Sequence, residues 1–236
     1  MCECIVQPAL TTDFLGFHGQ DNNRNLRGDL NDLLAQGTRG SQPASSPRRG
    51  MIKPNMHVNA IRNRDGQLES VRVRWGWLPV WTTGVMPPRT VLPLHLVMRS
   101  RVFDRVRREG RVLIAVDGWY EAPSFSATSQ WPHLNYTTAR EASPIFLAAI
   151  AQISDKPCGC DGLVLLTHGG KAGHQPRLLA FSGEDALDWL SPDLPWEQAE
   201  RLAEHKAVAE PQLEHVLTSL RPPHTRRRGP SSGSPA

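Results

Sequence analysis

The second residue of the chain is Cys2. An initiator methionine ahead of so small a residue is normally trimmed, which leaves Cys2 at the N-terminus. An N-terminal cysteine is a 1,2-aminothiol, a group no internal position supplies. Its α-amine ionises near about 7.7–8.0, so a useful fraction is neutral at working pH. A neutral amine condenses with an aldehyde to a Schiff base. The neighbouring thiol then adds to the imine carbon and closes a five-membered thiazolidine. Such a group traps aldehydes, although from position alone an incidental cysteine is the commoner case.

Two further places carry groups suited to chemistry. Asp117-Gly118-Trp119-Tyr120-Glu121 follows an apolar run ending at Val116, placing a carboxylate and two aromatics where a buried strand ends. Aromatic rings stack bases, and a carboxylate in apolar surroundings has a raised pKa suited to proton transfer. A core Trp and Tyr beside a solvated Glu is the plainer alternative. His174 lies in a loop after the strand ending near His168, a place for a general acid, though nine histidines dilute that signal. The cysteines pair as Cys2-Glu3-Cys4 and Cys158-Gly159-Cys160. Zinc sites usually place two to four residues between ligands, so this spacing does not call for a metal. A papain-like site needs its cysteine near a helix start, whereas Cys2 precedes an extended, Pro-containing stretch.

Strands must position these groups. Val71, Val73 and Trp75 alternate with Arg72, Arg74 and Gly76, the period of a half-buried strand. Arg111–Val116, Ile145–Ile153 and Leu163–Thr167 are short apolar runs bounded by Gly, Pro or Asp. Helices are expected after Ser182, where Asp185 makes a capping-box pattern ahead of Ala186, Leu187 and Leu190, and from Trp196 to Lys206. Arg101–Glu109 is a third, weaker helical stretch. The expected fold class is α+β with a largely antiparallel, barrel-like sheet. Residues 37–50 read as a loop and 222–236 as a disordered basic tail, leaving 1–221 as one domain.

Length and charge narrow the classes. A chain of 236 residues buries a core without staples, and its longest apolar run, Ile145 to Ala151, is far too short to span a bilayer. No secretory signal pattern opens the chain, and four cysteines do not make a disulfide framework, so a cytoplasmic setting is expected. The net charge is +4, and all but four of the 27 basic residues are arginine. Six arginines lie between Arg99 and Arg111 against Asp104 and Glu109. The planar guanidinium suits phosphate, which leans towards nucleic acid; a solvated helix face is the alternative.

Together these segments resemble the SOS-response-associated peptidase (SRAP) family. Met1-Cys2 is similar to its start, and Trp75-Gly76-Trp77-Leu78-Pro79-Val80-Trp81 to its W-G-L-x-P-x-W segment. Asp117–Glu121 resembles D-G-F/W-Y/F-E, Pro144–Ile150 resembles P-x-x-x-A-G/A-I, and Leu165-Leu166-Thr167 with His174 resembles I-x-T…H. The resemblance covers roughly residues 1–10 and 51–220. Departures are clear: Glu3 and Cys4 replace Gly-Arg after Cys2, and the N-A-R-x-E segment falls at Val91–His95, which lacks both Asn and Arg. His174-Gln175-Pro176-Arg177-Leu178 stands for H-x-R-M-P.

The resemblance implies a single α+β domain, without a cofactor, that crosslinks to abasic sites in single-stranded DNA through a thiazolidine at the N-terminal cysteine. It implies Cys2 as nucleophile, Glu121 as acid/base carboxylate and His174 as proton donor. Trp75, Trp77, Trp119, Arg74, Arg99, Arg101 and Arg177 are the expected DNA contacts. The expected form is a monomer associated with the nucleoid, away from membranes. The competing readings are a nucleic-acid-binding module that keeps the fold without the crosslink, and a cysteine peptidase.

Overall fold

A computed structural model describes residues 2–7, 50–79, 86–124, 133–141, 145–156, 159–170 and 176–219. The first strand, β1, is Cys2–Val6, followed by β2 (Met51–Ile52), β3 (His57–Arg64) and β4 (Gln67–Arg74). After β5 (Val91–Pro93) come helix α1 (Leu94–Arg99), a 3-10 turn at Arg101–Phe103 and helix α2 (Asp104–Glu109). Strands β6 (Arg111–Val116), β7 (Gly118–Ser124), β8 (His133–Ala139), β9 (Ile145–Gln152), β10 (Gly162–His168), β11 (Arg177–Leu178) and β12 (Ala180–Ser182) follow. Helices α3 (Gly183–Leu190) and α4 (Trp196–Lys206) precede the last strand, β13 (Leu213–Ser219).

These strands form two sheets. The smaller runs β13-β8-β7-β1-β2, and the larger runs β11-β10-β9-β6-β3-β4, with β12 joined to β9 and β5 to β10. Among the described residues every pairing of these strands is antiparallel except β5 on β10. The fold is therefore sheet-rich α+β with few helices. Among the described residues the strand paths of both sheets are open, and the far strands of the larger sheet are joined by no ladder, only by an isolated parallel bridge between Trp75, just past β4, and Leu163 of β10.

The apolar runs of β6, β9 and β10 follow from burial on both faces. Leu113, Ala115, Phe146, Ala148, Ile150, Val164 and Leu166 pack with the helices through Leu94, Val97, Ala186, Trp189 and Ala199. The alternate residues, Val112, Ile114, Leu147, Ala149, Leu163 and Leu165, pack with Cys2, Ile5, Trp119 and Leu213 of the smaller sheet. The larger sheet is thus the middle layer, between helices and the smaller sheet.

Local chemistry explains the joints. The β3–β4 hairpin turns at Asp65 (φ 52°) and Gly66 (φ 82°), both in the left-handed region that a two-residue turn demands. Gln7, just past β1, ties the sheets together. Its Nε2 donates to Asn59 O (2.9 Å) and Ala115 O (3.2 Å), and its Oε1 accepts from Asn59 N (3.0 Å). Helix α3 starts where expected, but Ser182 bonds the Asp185 carboxylate (3.4 Å) instead of capping a backbone N–H. Arg101–Glu109 is a 3-10 turn followed by α2, and α1 is a helix that periodicity did not reveal. Residues 37–49 and 222–236 lie outside the described residues.

Candidate active site

Cys2 sits on β1 opposite Glu121 of β7, and Glu121 sits opposite Asn135 of β8. Directly paired positions bring side chains on one face within roughly 5 Å at Cβ. A thiol, a carboxylate and an amide therefore form one row across three neighbouring strands. The row lies on the inner face of the smaller sheet, where Cys2 and Trp119 join the core against the larger sheet.

A bulge sets which cysteine joins that row. Cys2 pairs with Glu121 and Cys4 with the next residue, Tyr120, so Glu3 is an extra residue on β1. Tyr120 and Glu121 point to opposite faces of β7, and so do Cys4 and Cys2. The thiol of Cys2 donates to Cys4 O (3.7 Å), and burial pushes it up to about 12, with smaller upward contributions from Cys4 and Glu121. The neutral thiol is thus the resting form. Glu121 is half-buried, and its Oε1 accepts from the Trp119 indole N–H (3.3 Å).

On the other face, Cys4 lies with Tyr120 and Tyr136, whose rings are 4.7 Å apart. Burial raises the Cys4 thiol, offset in part by Lys53. Burial also lifts the Tyr136 phenol to about 12, with Asp117 and Tyr120 adding to it. Gly118 is required here: a Cβ at this position would lie 2.4 Å from Thr137 O and 2.6 Å from the Tyr136 hydroxyl. The glycine of the Asp117–Glu121 segment is what lets β8 approach β7.

Next to the row lies a polar cluster that sequence reasoning missed. His215 of β13 is opposite Thr137, which is opposite Trp119. His215 Nε2 is 2.7 Å from Glu210 Oε1, and its Nδ1 is 3.0 Å from Thr137 Oγ1 and 3.4 Å from Asn135 Nδ2. Arg177 Nη1 donates to Glu210 Oε2 (2.5 Å) and holds that carboxyl below its usual range, with His215 adding to the effect. Only pairing across β7, β8 and β13 exposes this cluster, because its members are far apart in sequence.

The remaining expected residues are placed as follows. Trp75 and Trp77 are core residues, 0% and 2% exposed, with their indoles bonded to Thr90 O (2.9 Å) and Gln152 Oε1 (3.3 Å). Neither ring has a free face to stack a base, and the same holds for Trp119, at 3%. All three are packing residues. Arg74 is half-buried and donates to Gly159 O (3.3 Å). Arg99 and Arg101 are exposed at the end of α1 and just beyond, in the helical layer across the larger sheet from Cys2. Arg177 bonds Glu210 and so belongs to the polar cluster. His174 lies outside the described residues, in the connection between β10 and β11.

Comparisons with known proteins bear on the fold and the family. The abasic site processing protein YedK of Escherichia coli K12 is 25% identical over 208 residues, covering 86% of this chain and 85% of that protein. A phage-related protein from Bordetella bronchiseptica superposes with a TM-score of 0.63 at 19% identity, over 92% of this chain and 94% of its own. A protein from Bacteroides thetaiotaomicron does so with a TM-score of 0.59 at 13% identity, over 92% and 91%. The model of the SOS response associated peptidase (SRAP) family matches residues 22–220. The chain belongs to the SOS response associated peptidase family.

Proposed function

We propose that this protein processes abasic sites in single-stranded DNA by capturing their aldehyde on Cys2. The observation that carries the reading is the cross-strand pairing of Cys2 with Glu121. Trimming of Met1 leaves the α-amine of Cys2 as a free nucleophile. It attacks the C1 aldehyde of the opened sugar, and water leaves to give the imine. The Cys2 sulfur then adds to the imine carbon. Its proton passes to Glu121 and on to the former imine nitrogen, closing the ring with no net gain or loss of protons.

Glu121 is needed because burial keeps the Cys2 thiol neutral, with a pKa of about 12. A neutral thiol is a poor nucleophile until a base takes its proton. The Trp119 indole holds one oxygen of that base. In this reading His174 supplies the proton for opening the sugar and for releasing the adduct. Arg177, three residues beyond His174, is tied through Glu210 and His215 to the strand beside Glu121. Arg74, Arg99 and Arg101 bind phosphates of the strand, a contribution that falls as salt rises. Arg99 and Arg101 do so only at a distance from the captured sugar, because they lie across the larger sheet from Cys2.

The test is a denaturing gel of the Met-trimmed protein with an oligonucleotide bearing one abasic site. A heat-resistant shifted band is expected, and the same protein retaining Met1 gives none. Absence of the band from trimmed protein would leave a DNA-binding module without the crosslink.

A further inference from the structure

Asn135 carries a side-chain oxygen that has no partner. Its Oδ1 is shut away from solvent and makes no hydrogen bond. A buried carbonyl left unmatched costs about 1–3 kcal/mol, so such an atom calls for an explanation.

The cluster behind Asn135 fixes which of its atoms is left over. Arg177 donates to one oxygen of Glu210, and the other oxygen lies 2.7 Å from His215 Nε2. A carboxylate only accepts, so Nε2 carries the proton. In that tautomer the Nδ1 lone pair is an acceptor. Thr137 Oγ1–H and the Asn135 Nδ2–H group are the donors that meet it, at 3.0 and 3.4 Å. Asn135 is thereby turned amide-first towards His215, and its carbonyl faces the opposite way. Strand register puts Glu121 and then Cys2 in line with it.

The geometry points to Asn135 Oδ1 as the acceptor for a hydroxyl of the bound substrate, with Arg177, Glu210 and His215 as positioning residues that aim it. This rests on the reading of Cys2 as the group that captures abasic sites. When both phosphodiesters are intact, ring opening leaves a single free hydroxyl on the sugar, at C4, three carbons from the aldehyde. A row with Cys2 at one end and Asn135 at the other takes the aldehyde and that hydroxyl together. Cys2 thereby prefers hydroxylated sugar aldehydes to plain ones. A desolvated acceptor discriminates strongly, because a ligand without the donor leaves it unmatched.

The experiment compares Met-trimmed wild type with Asn135→Leu on two probes, an abasic-site oligonucleotide and propanal, which has an aldehyde and no hydroxyl. Adduct formation is followed by mass. The ratio of the rate on the oligonucleotide to the rate on propanal is expected to fall about tenfold in Asn135→Leu. His215→Phe is expected to lower the same ratio by a smaller factor. Leucine is close to asparagine in shape and removes the unmatched oxygen, and Thr137 still donates to His215 Nδ1 when the amide is gone, so Asn135→Leu should melt close to wild type. An unchanged ratio, with either both rates retained or both reduced alike, would overturn the assignment of Asn135 while leaving Cys2 as the capturing group. Failure of wild type to form either adduct would instead overturn the reading of Cys2, and this assignment with it.

Discussion

The two faces of the smaller sheet hold two cysteines, separated by Glu3 alone, in opposite circumstances. On the inner face, Cys2 stands in register with Glu121 and Asn135, close to the His215 cluster. On the outer face, Cys4 lies beside two tyrosines, its thiol bonded to Ile5 O (3.5 Å). Both thiols are buried and raised. Burial therefore does not set the two apart. The group across the strand does, and one extra residue in β1 decides which cysteine meets it.

The sharpest way to break this comparison is to remove each cysteine in turn. Cys2→Ala should abolish the crosslink to an abasic oligonucleotide, whereas Cys4→Ala should keep it, both read on a denaturing gel. A crosslink lost equally in both variants would mean that the faces are not functionally distinct. Replacing the partner tests the same row from the other side. Glu121→Gln should slow thiazolidine closure by about a hundredfold, the scale of general acid–base catalysis, with initial imine formation less affected. Stopped-flow or quenched mass measurements separate the two steps.

A smaller effect concerns the joint that holds the inner face against the larger sheet. Gln7→Leu strands Asn59 N–H, Asn59 O and Ala115 O, and should lower stability by about 2–3 kcal/mol in urea denaturation. The smallest effect is in pH dependence. The Cys2 thiol ionises at 9.0 when unfolded and at about 12 in the folded chain. Between those values the unfolded chain releases a proton that the folded chain keeps, so stability falls as pH rises. Stability attributable to this thiol is fully present below pH 9.0 and is lost as pH rises towards 12. Urea midpoints on either side of pH 9.0 should show a flatter alkaline decline in Cys2→Ala than in wild type.

Much of this was legible in the sequence where chemistry and pattern are local. Cys2 announces itself by position, and the Asp117–Glu121 segment by a carboxylate beside aromatics after an apolar run. The continuous apolar runs at β6, β9 and β10 marked strands, which the structure buries on both faces, and the spacing after Ser182 and Trp196 marked helices. What was not legible depends on pairing. The tryptophans of Trp75-Gly76-Trp77 read as DNA contacts because composition alone does not reveal that β10 and the helices enclose them. Asn135, Glu210 and His215 gave no signal, since their proximity arises only from the register of β8 with β7 and of β13 with β8. Arg177 read as a phosphate contact, and it took Glu210, far along the chain, to show where its charge is matched.

The most direct test of the central claim is the intact mass of Met-trimmed protein after reaction with a single-stranded oligonucleotide carrying one abasic site. The account predicts one species equal to protein plus oligonucleotide less one water. The modified peptide should begin at Cys2, with both its nitrogen and its sulfur blocked and no further change on borohydride treatment. An adduct on a lysine or on Cys4, or no adduct with Met1 confirmed absent, would contradict it.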